Sequence, residues 1–202
     1  MGGEGFARKL WARLWLRGSH FSGRYANLKA LYAIEDPWNL GSEREQARYR
    51  HMNRLIGELA PECRSLLELG SGEGFQTQHL LEVSGHVTGV ELSGQAVARA
   101  RHRCPAAELL VGKAEDAPQL LAGRRFDVVT AFEVLYYAQD IGGILADLQA
   151  MAPVILVSNF MDEARQMGRH FEGPGWRRLD DLTVDGVIWR IDTWRAQGVG
   201  VT

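Results

Sequence analysis

Between Ser65 and Asn159 five short apolar runs alternate with helix-forming segments. The runs are SLLEL (65–69), HVTGVEL (86–92), ELLVG (108–112), FDVVTAF (126–132) and VILVSN (154–159); between them lie FQTQHLLEV, SGQAVARARHR, DAPQLLAG and DIGGILADLQAM. Runs continuous in Val, Leu and Ile, rather than alternating with polar residues, predict strands buried on both faces. Strand–helix alternation predicts a parallel sheet with right-handed crossovers. The chain then changes character. WRRLDDLTV and VIWRIDTWRA flank Asp185-Gly186, a dipeptide suited to the positive φ of a tight hairpin turn. In the second run Trp189, Ile191 and Thr193 alternate with Ile188, Arg190 and Asp192, the pattern of a half-exposed strand. The expected fold is a doubly wound α/β sheet, mostly parallel, with an antiparallel C-terminal hairpin. The first sixty residues read as a helical cap broken around Pro37.

Length and charge narrow the function classes. The 202 residues suit one domain spanning 1–202, and a net charge of -2 asks for no nucleic-acid partner. Charge is uneven: residues 1–60 carry ten Lys/Arg against six Asp/Glu, and the rest carry 13 against 19. The segment FARKLWARLWLRG (6–18) reads as a basic amphipathic helix, with Arg8, Lys9, Arg13 and Arg17 interrupting any signal-peptide core. Such a stripe covers a domain core or active site more often than it lies on a membrane. No apolar run approaches the roughly 20 residues that a membrane span requires, so no stable membrane insertion is expected. Cys63 and Cys104 stand alone, which suits a cytoplasmic location, and no His, Cys or carboxylate group has metal-ligand spacing.

The stretch LELGSGEGF (67–75) follows the first run and precedes the first helical segment. In an open parallel sheet that is where ligands bind. Gly70 and Gly72 would let the chain turn sharply and let its amides approach a ligand, and Gly74 would allow close helix–strand packing. A dinucleotide fingerprint is G-x-G-x-x-G; here the third glycine comes one residue early. Glu68 precedes the turn and Glu73 lies inside it. Those carboxylates would repel a pyrophosphate and suit a ligand carrying an ammonium or sulfonium. Glu91 ends the second run, 21 residues after Gly70. It can accept both hydrogen bonds of a ribose diol, or equally serve as a carboxylate at the start of the helix beginning near Ser93. The acidic GKAED segment (112–116) after the third run could hydrogen-bond an adenine amino group.

Together these positions resemble the class I S-adenosylmethionine-dependent methyltransferases. ELGSGEG is similar to their first motif, GVELS to the second, GKAED to the third and FDVVTAFEVLYYAQD to the fourth, over about residues 63–160. DPWNLGSEREQARYRHMNRLIGEL and FEVLYY further resemble the nodulation protein S type, bacterial enzymes that N-methylate the free amine of a deacetylated chitooligosaccharide. MAPVILV departs from the usual glycine-containing turn before the fifth strand, and the chain beyond about residue 160 has room for only a brief helix. The resemblance implies a seven-stranded Rossmann-like sheet, with residues 1–60 capping a cofactor-binding core at 61–202, and S-adenosylmethionine as cofactor. It implies that Glu68 holds the cofactor's amino group through water while Gly70, Ser71 and Gly72 line the methionine part. Glu91 binds the ribose, Leu92 packs on the adenine, and Ala114, Glu115 and Asp116 bracket its edge. Phe132 and Glu133 lie beside the sulfonium, and Trp38 and Tyr49 close over the cofactor.

Methyl transfer from a sulfonium to an amine is an in-line displacement, so positioning supplies much of the acceleration. The amine must be neutral when it attacks, which calls for a group that takes or relays its proton. Candidates are Glu133, Tyr136, Tyr137 and His51, and the two tyrosine faces could also hold a cation. Trp176, Trp189 and Trp194 read as packing for the edge hairpin, with sugar stacking left open. The expected partner is a small-molecule amine or sugar acceptor. Homodimer formation through the edge hairpin or first helix is left open. An O-methyltransferase, an NAD-type oxidoreductase and a non-catalytic adenosyl-binding module are the competing readings.

Overall fold

The computed structural model describes residues 20–22 and 25–197; the basic segment expected to form the first helix lies outside them. Helix α1 (Tyr25–Leu31) and helix α2 (Glu43–Leu59) precede strand β1 (Ser65–Leu69). There follow α3 (Phe75–Leu80), β2 (His86–Glu91), α4 (Gly94–Arg103), β3 (Glu108–Val111), α5 (Ala117–Leu120), β4 (Val128–Phe132), α6 (Ile141–Met151), β5 (Val154–Phe160) and α7 (Met161–Met167). Strands β6 (Trp176–Arg178), β7 (Leu182–Val184) and β8 (Val187–Arg195) complete the chain. Short 3-10 turns at Ala114–Asp116, Leu135–Tyr137 and Gly168–Phe171 connect them.

One sheet runs β3-β2-β1-β4-β5-β8-β6, with β7 also paired to β8. Strands β1 to β5 are parallel, and β8 is antiparallel to β5 from Val154↔Arg195 to Phe160↔Trp189. The expected seven strand positions are filled by eight strands. β6 pairs residues 192–194 and β7 residues 187–189 of β8, so the two short strands share the outer edge. Asp185 (φ 50) and Gly186 (φ 74) both take the left-handed conformation, which closes the β7–β8 hairpin in two residues.

The apolar runs bury as continuous Val/Leu/Ile runs should, except at the edge. β4 is buried throughout, and Leu66 and Leu67 of β1 pack in clusters on opposite faces. Leu66 joins Met52 and Ile56 of α2, and Leu67 joins Ile144 and Leu148 of α6. β3 has only one neighbour in the sheet, and its Val111 is 49% exposed. Asp192, expected on the half-exposed face, is fully buried because Arg190 turns back on it with two hydrogen bonds of 2.8 Å. Strand order reverses between β1 and β4. The chain therefore leaves these neighbours in opposite directions, and a crevice opens at their carboxyl ends.

Candidate active site

That crevice is a cavity of about 890 Å³ lying between the ends of β1, β2 and β4 and the helices that precede β1. Its floor is the turn after β1. Gly70 (φ 74) and Gly72 (φ 53) adopt backbone conformations that side-chain-bearing residues resist. The physical reason at Gly70 differs from the expected one: a Cβ there would meet Val134 at 2.8 Å, so bare peptide is needed for packing on the β4 loop. At Gly74 a Cβ would meet Ala100 at 3.1 Å, so the close approach is to helix α4 and not to a strand.

Glu68 and Glu91 line the cavity at 2% and 5% exposure. Burial pushes both carboxyls up to about 7. For Glu68 the Thr77 hydroxyl, donating at 2.5 Å, and the Arg48 guanidinium oppose that rise. Glu91 accepts from Gly72 N at 3.0 Å and Ser93 N at 2.8 Å. It thus braces the glycine turn and the start of α4, and a carboxylate's remaining lone pairs are still open to a diol. Glu73 is a correction. It is absent from the cavity wall and 1% exposed; its carboxylate accepts from Asp36 N at 3.0 and 3.1 Å and pairs with Arg99 at 2.7 Å. Glu73 fastens the cap loop to the glycine turn instead of facing a ligand.

At the end of β4, Glu133 has φ 56, a strained value for a residue with a side chain. Its carboxylate accepts from Phe160 N at 3.0 Å, the Tyr136 hydroxyl at 3.3 Å and the Ser158 hydroxyl at 3.4 Å, and burial pushes it up to about 7. The Tyr136 and Tyr137 rings lie 4.5 Å apart, and burial raises both hydroxyls above their ordinary range. From the cap come Trp38 and Tyr49, the latter fully buried and donating to Leu40 O at 3.2 Å.

Of the residues singled out in the sequence, Trp38, Tyr49, Glu68, Gly70, Ser71, Gly72, Glu91, Leu92, Ala114, Phe132, Glu133, Tyr136 and Tyr137 all line this cavity. Three do not. His51 sits on α2 away from the wall that Arg48 and Tyr49 form, beside Arg54 at 3.0 Å, and so has no access to an acceptor here. Glu115 takes the hydroxyl hydrogen of Tyr25 and so ties its turn to α1, and Asp116 accepts from Lys113 N at 3.2 Å and braces its own turn. The cavity wall after β3 is instead Gly112, Lys113 and Ala114.

Other wall residues escaped notice. Arg48, 3% exposed, pairs with Glu45 at 2.8 Å and lies 4.9 Å from the Tyr49 ring and 5.9 Å from the Trp189 ring. Trp189, read as packing for the edge hairpin with sugar stacking left open, lines the cavity. His20 and Glu163 meet at 2.9 Å on the wall beside the tyrosines. Arg48 carried a signal, since it stands four residues before Met52 and eight before Ile56 on the buried stripe of α2. A charge on such a stripe needs a reason. His20 lies in no periodic segment and carried none. Among the described residues, Ser71 Oγ, both amide atoms of Gln76 and Arg48 Nη1 are buried without a hydrogen-bond partner, and all three residues face the cavity. Buried polar atoms are normally satisfied, so this wall suits a polar ligand.

The model of the family "Nodulation protein S (NodS)" matches residues 23–162. A nodulation protein S of Sinorhizobium fredii is 29% identical over 130 residues, 64% of this chain and 60% of the relative. The chain thus aligns with somewhat under two thirds of that protein's length. A Streptomyces fradiae enzyme named dTDP-3-amino-3,6-dideoxy-alpha-D-glucopyranose N,N-dimethyltransferase is 40% identical over 76 residues, 38% of this chain and 29% of that one. The crystal structure of N-methyltransferase NodS from Bradyrhizobium japonicum WM9 with S-adenosyl-l-homocysteine superposes with a TM-score of 0.70 at 17% identity, covering 86% of this chain and 98% of that one. It confirms the Rossmann-like fold.

Proposed function

The chain belongs to the nodulation protein S family, and from that premise we propose that it is an S-adenosylmethionine-dependent methyltransferase acting on an amine nitrogen of a small molecule, an amino sugar above all. The observation that carries this reading is the pairing, in one cavity at the strand-order reversal, of two buried carboxylates and the half-buried Glu133 with buried polar atoms that have no protein partner. Relatives bearing the names of amino-sugar N,N-dimethyltransferases support the choice of acceptor.

When bound, S-adenosylmethionine supplies an electrophilic methyl group on a sulfonium. The chain's residues divide the work of holding it. Glu68 and Arg48 face the cavity as a carboxyl and a guanidinium, and the guanidinium opposes the rise that burial gives the Glu68 carboxyl, so the two suit the ammonium and carboxylate of one amino acid. Gly70, Ser71 and Gly72 line the methionine part, Glu91 takes the ribose hydroxyls, and Leu92 and Ala114 flank the adenine. Phe132 and Glu133 stand beside the sulfonium. The faces of Tyr136 and Tyr137 favour a cation there, and Trp38 and Tyr49 close the cavity from the cap and exclude water. On the acceptor side, Trp189 and Phe160 offer apolar faces beside the carboxylates of Asp162 and Glu163, a wall suited to a sugar carrying an amine.

The test is incubation of the full chain with methyl-labelled S-adenosylmethionine and, separately, deacetylated chitooligosaccharides, aminoglycosides, simple amines and phenols. The expected outcome is label on nitrogen of an amino sugar. Label only on oxygen would move the assignment to O-methylation, and no incorporation anywhere would contradict it.

A further inference from the structure

Taking up a proton from the acceptor needs a group that faces the cavity, is free to accept and stays basic at neutral pH. Glu133 is the less free acceptor, because three of a carboxylate's roughly four lone-pair sites already accept from Phe160 N, Tyr136 Oη and Ser158 Oγ. Tyr136 and Tyr137 hold their protons, since burial raises both hydroxyls. His51 is off the wall.

His20 and Glu163 form a further pair on the same wall. The imidazole Nδ1 lies 2.9 Å from Glu163 Oε1, and the two side chains are 16% and 18% exposed on the cavity wall. A nitrogen and a carboxylate oxygen at that distance share a hydrogen, which an ionised carboxylate cannot supply, so Nδ1 carries it. In the neutral ring Nε2 then keeps its lone pair, and it makes no hydrogen bond among the described residues. The ring is fixed in place. It stands edge-on to Tyr136 and Tyr137, with centroids 5.1 and 5.2 Å away, and the next residue anchors the chain through Phe21 N to Tyr136 O at 2.7 Å. Those tyrosines follow the end of β4, where the reacting groups would meet.

We infer that His20 and Glu163 form the proton-accepting pair for the methyl acceptor, an inference resting on the methyltransferase reading above. The acceptor nitrogen's lone pair forms the bond to the methyl carbon, and the carbon–sulfur bond breaks with its electrons going to sulfur. The surplus proton on nitrogen passes to His20 Nε2. Glu163, a positioning residue, holds the imidazole tautomer and stabilises the imidazolium so formed.

The experiment compares wild type, His20→Gln, Glu163→Gln and the double variant for methyl transfer to glucosamine tetramer, glucosamine and a primary alkyl amine. S-adenosylhomocysteine affinity is measured in parallel by calorimetry. Expected is a fall in kcat of about a hundredfold or more for His20→Gln and about tenfold for Glu163→Gln, with cofactor affinity unchanged. The double variant should be no slower than His20→Gln, because the carboxylate acts only through the ring. Added imidazole should restore part of the rate to His20→Ala. Rates close to wild type in His20→Gln, or losses that multiply in the double variant, would overturn the pair while leaving methyltransferase activity standing. If a His20 variant also loses cofactor affinity, Glu163→Gln decides, and an unchanged rate there overturns the proposal. A wild-type chain that methylates none of the three amines overturns amine methylation and this pair with it.

Discussion

Glu68, Glu91 and Glu133 are each pushed up to about 7, chiefly by burial. The sign of the consequence follows. A carboxyl whose folded value exceeds its unfolded one adds stability in full below the unfolded value of about 4.5, and that contribution is lost as pH rises through about 7. A cationic ligand favours the opposite, ionised form. S-adenosylmethionine should therefore bind more tightly at about pH 8 than at about pH 6, and binding below pH 7 should release protons. S-adenosylhomocysteine lacks the sulfonium charge and should show the smaller pH effect. Calorimetry in two buffers of different ionisation enthalpy measures both, and pH-independent binding without proton release would contradict the account. Arg48 gives a second expectation. Arg48→Lys keeps the charge but loses the planar fork. It should weaken S-adenosylhomocysteine about tenfold, the worth of one charge-assisted hydrogen bond. Methylthioadenosine, which has no carboxylate, should bind as before. The carboxylates were legible because a strand end is a sequence position. The pairing of His20 with Glu163 was not, since 143 positions separate them and only the folded chain brings them to one wall.

At the scale of elements, the turn after β1 is locked from three sides. Val134 fills the space over Gly70, Glu91 holds Gly72 N, and Glu73 ties the cap loop at Asp36 N and Arg99. The cap and the cofactor turn are thus one mechanical unit. Glu73→Ala removes the carboxylate that two part-buried donors, Asp36 N and the Arg99 guanidinium, share, and should lower stability by about 1–3 kcal/mol. Hydrogen exchange should rise in residues 32–42 more than in β1 and β4, and S-adenosylhomocysteine affinity should fall although Glu73 touches no cavity. Exchange unchanged in the cap would refute the clamp. The strands themselves were readable from apolar runs because burial on both faces leaves a continuous pattern, and the β7–β8 hairpin was readable from Asp185-Gly186. The partners of Glu73 and Gly74 were not, because sequence fixes where a turn occurs but not which helix packs on it. Nor does a run of apolar residues say which strand lies at an edge, hence exposed Val111.

For the whole molecule, a mostly parallel sheet covered on both faces supplies rigidity, and the reversal between β1 and β4 supplies the opening. The residues before β1 turn that opening into a partly closed cavity by adding Tyr32, Trp38, Arg48 and Tyr49 to its wall. Among the described residues no helix is long and apolar enough to cross a membrane, and no group of His, Cys, Asp and Glu could hold a metal ion. The sheet's class was written in the strand–helix alternation. The shape of the cavity was not, because it depends on where the cap docks. The central claim is that this cavity is built for an adenosyl amino acid with a cationic or thioether sulfur and not for a dinucleotide. Calorimetric titration of the purified chain with S-adenosylhomocysteine and, separately, with NAD tests it most directly. Saturable one-to-one binding of S-adenosylhomocysteine with no heat from NAD is expected; binding of NAD without binding of S-adenosylhomocysteine would contradict it.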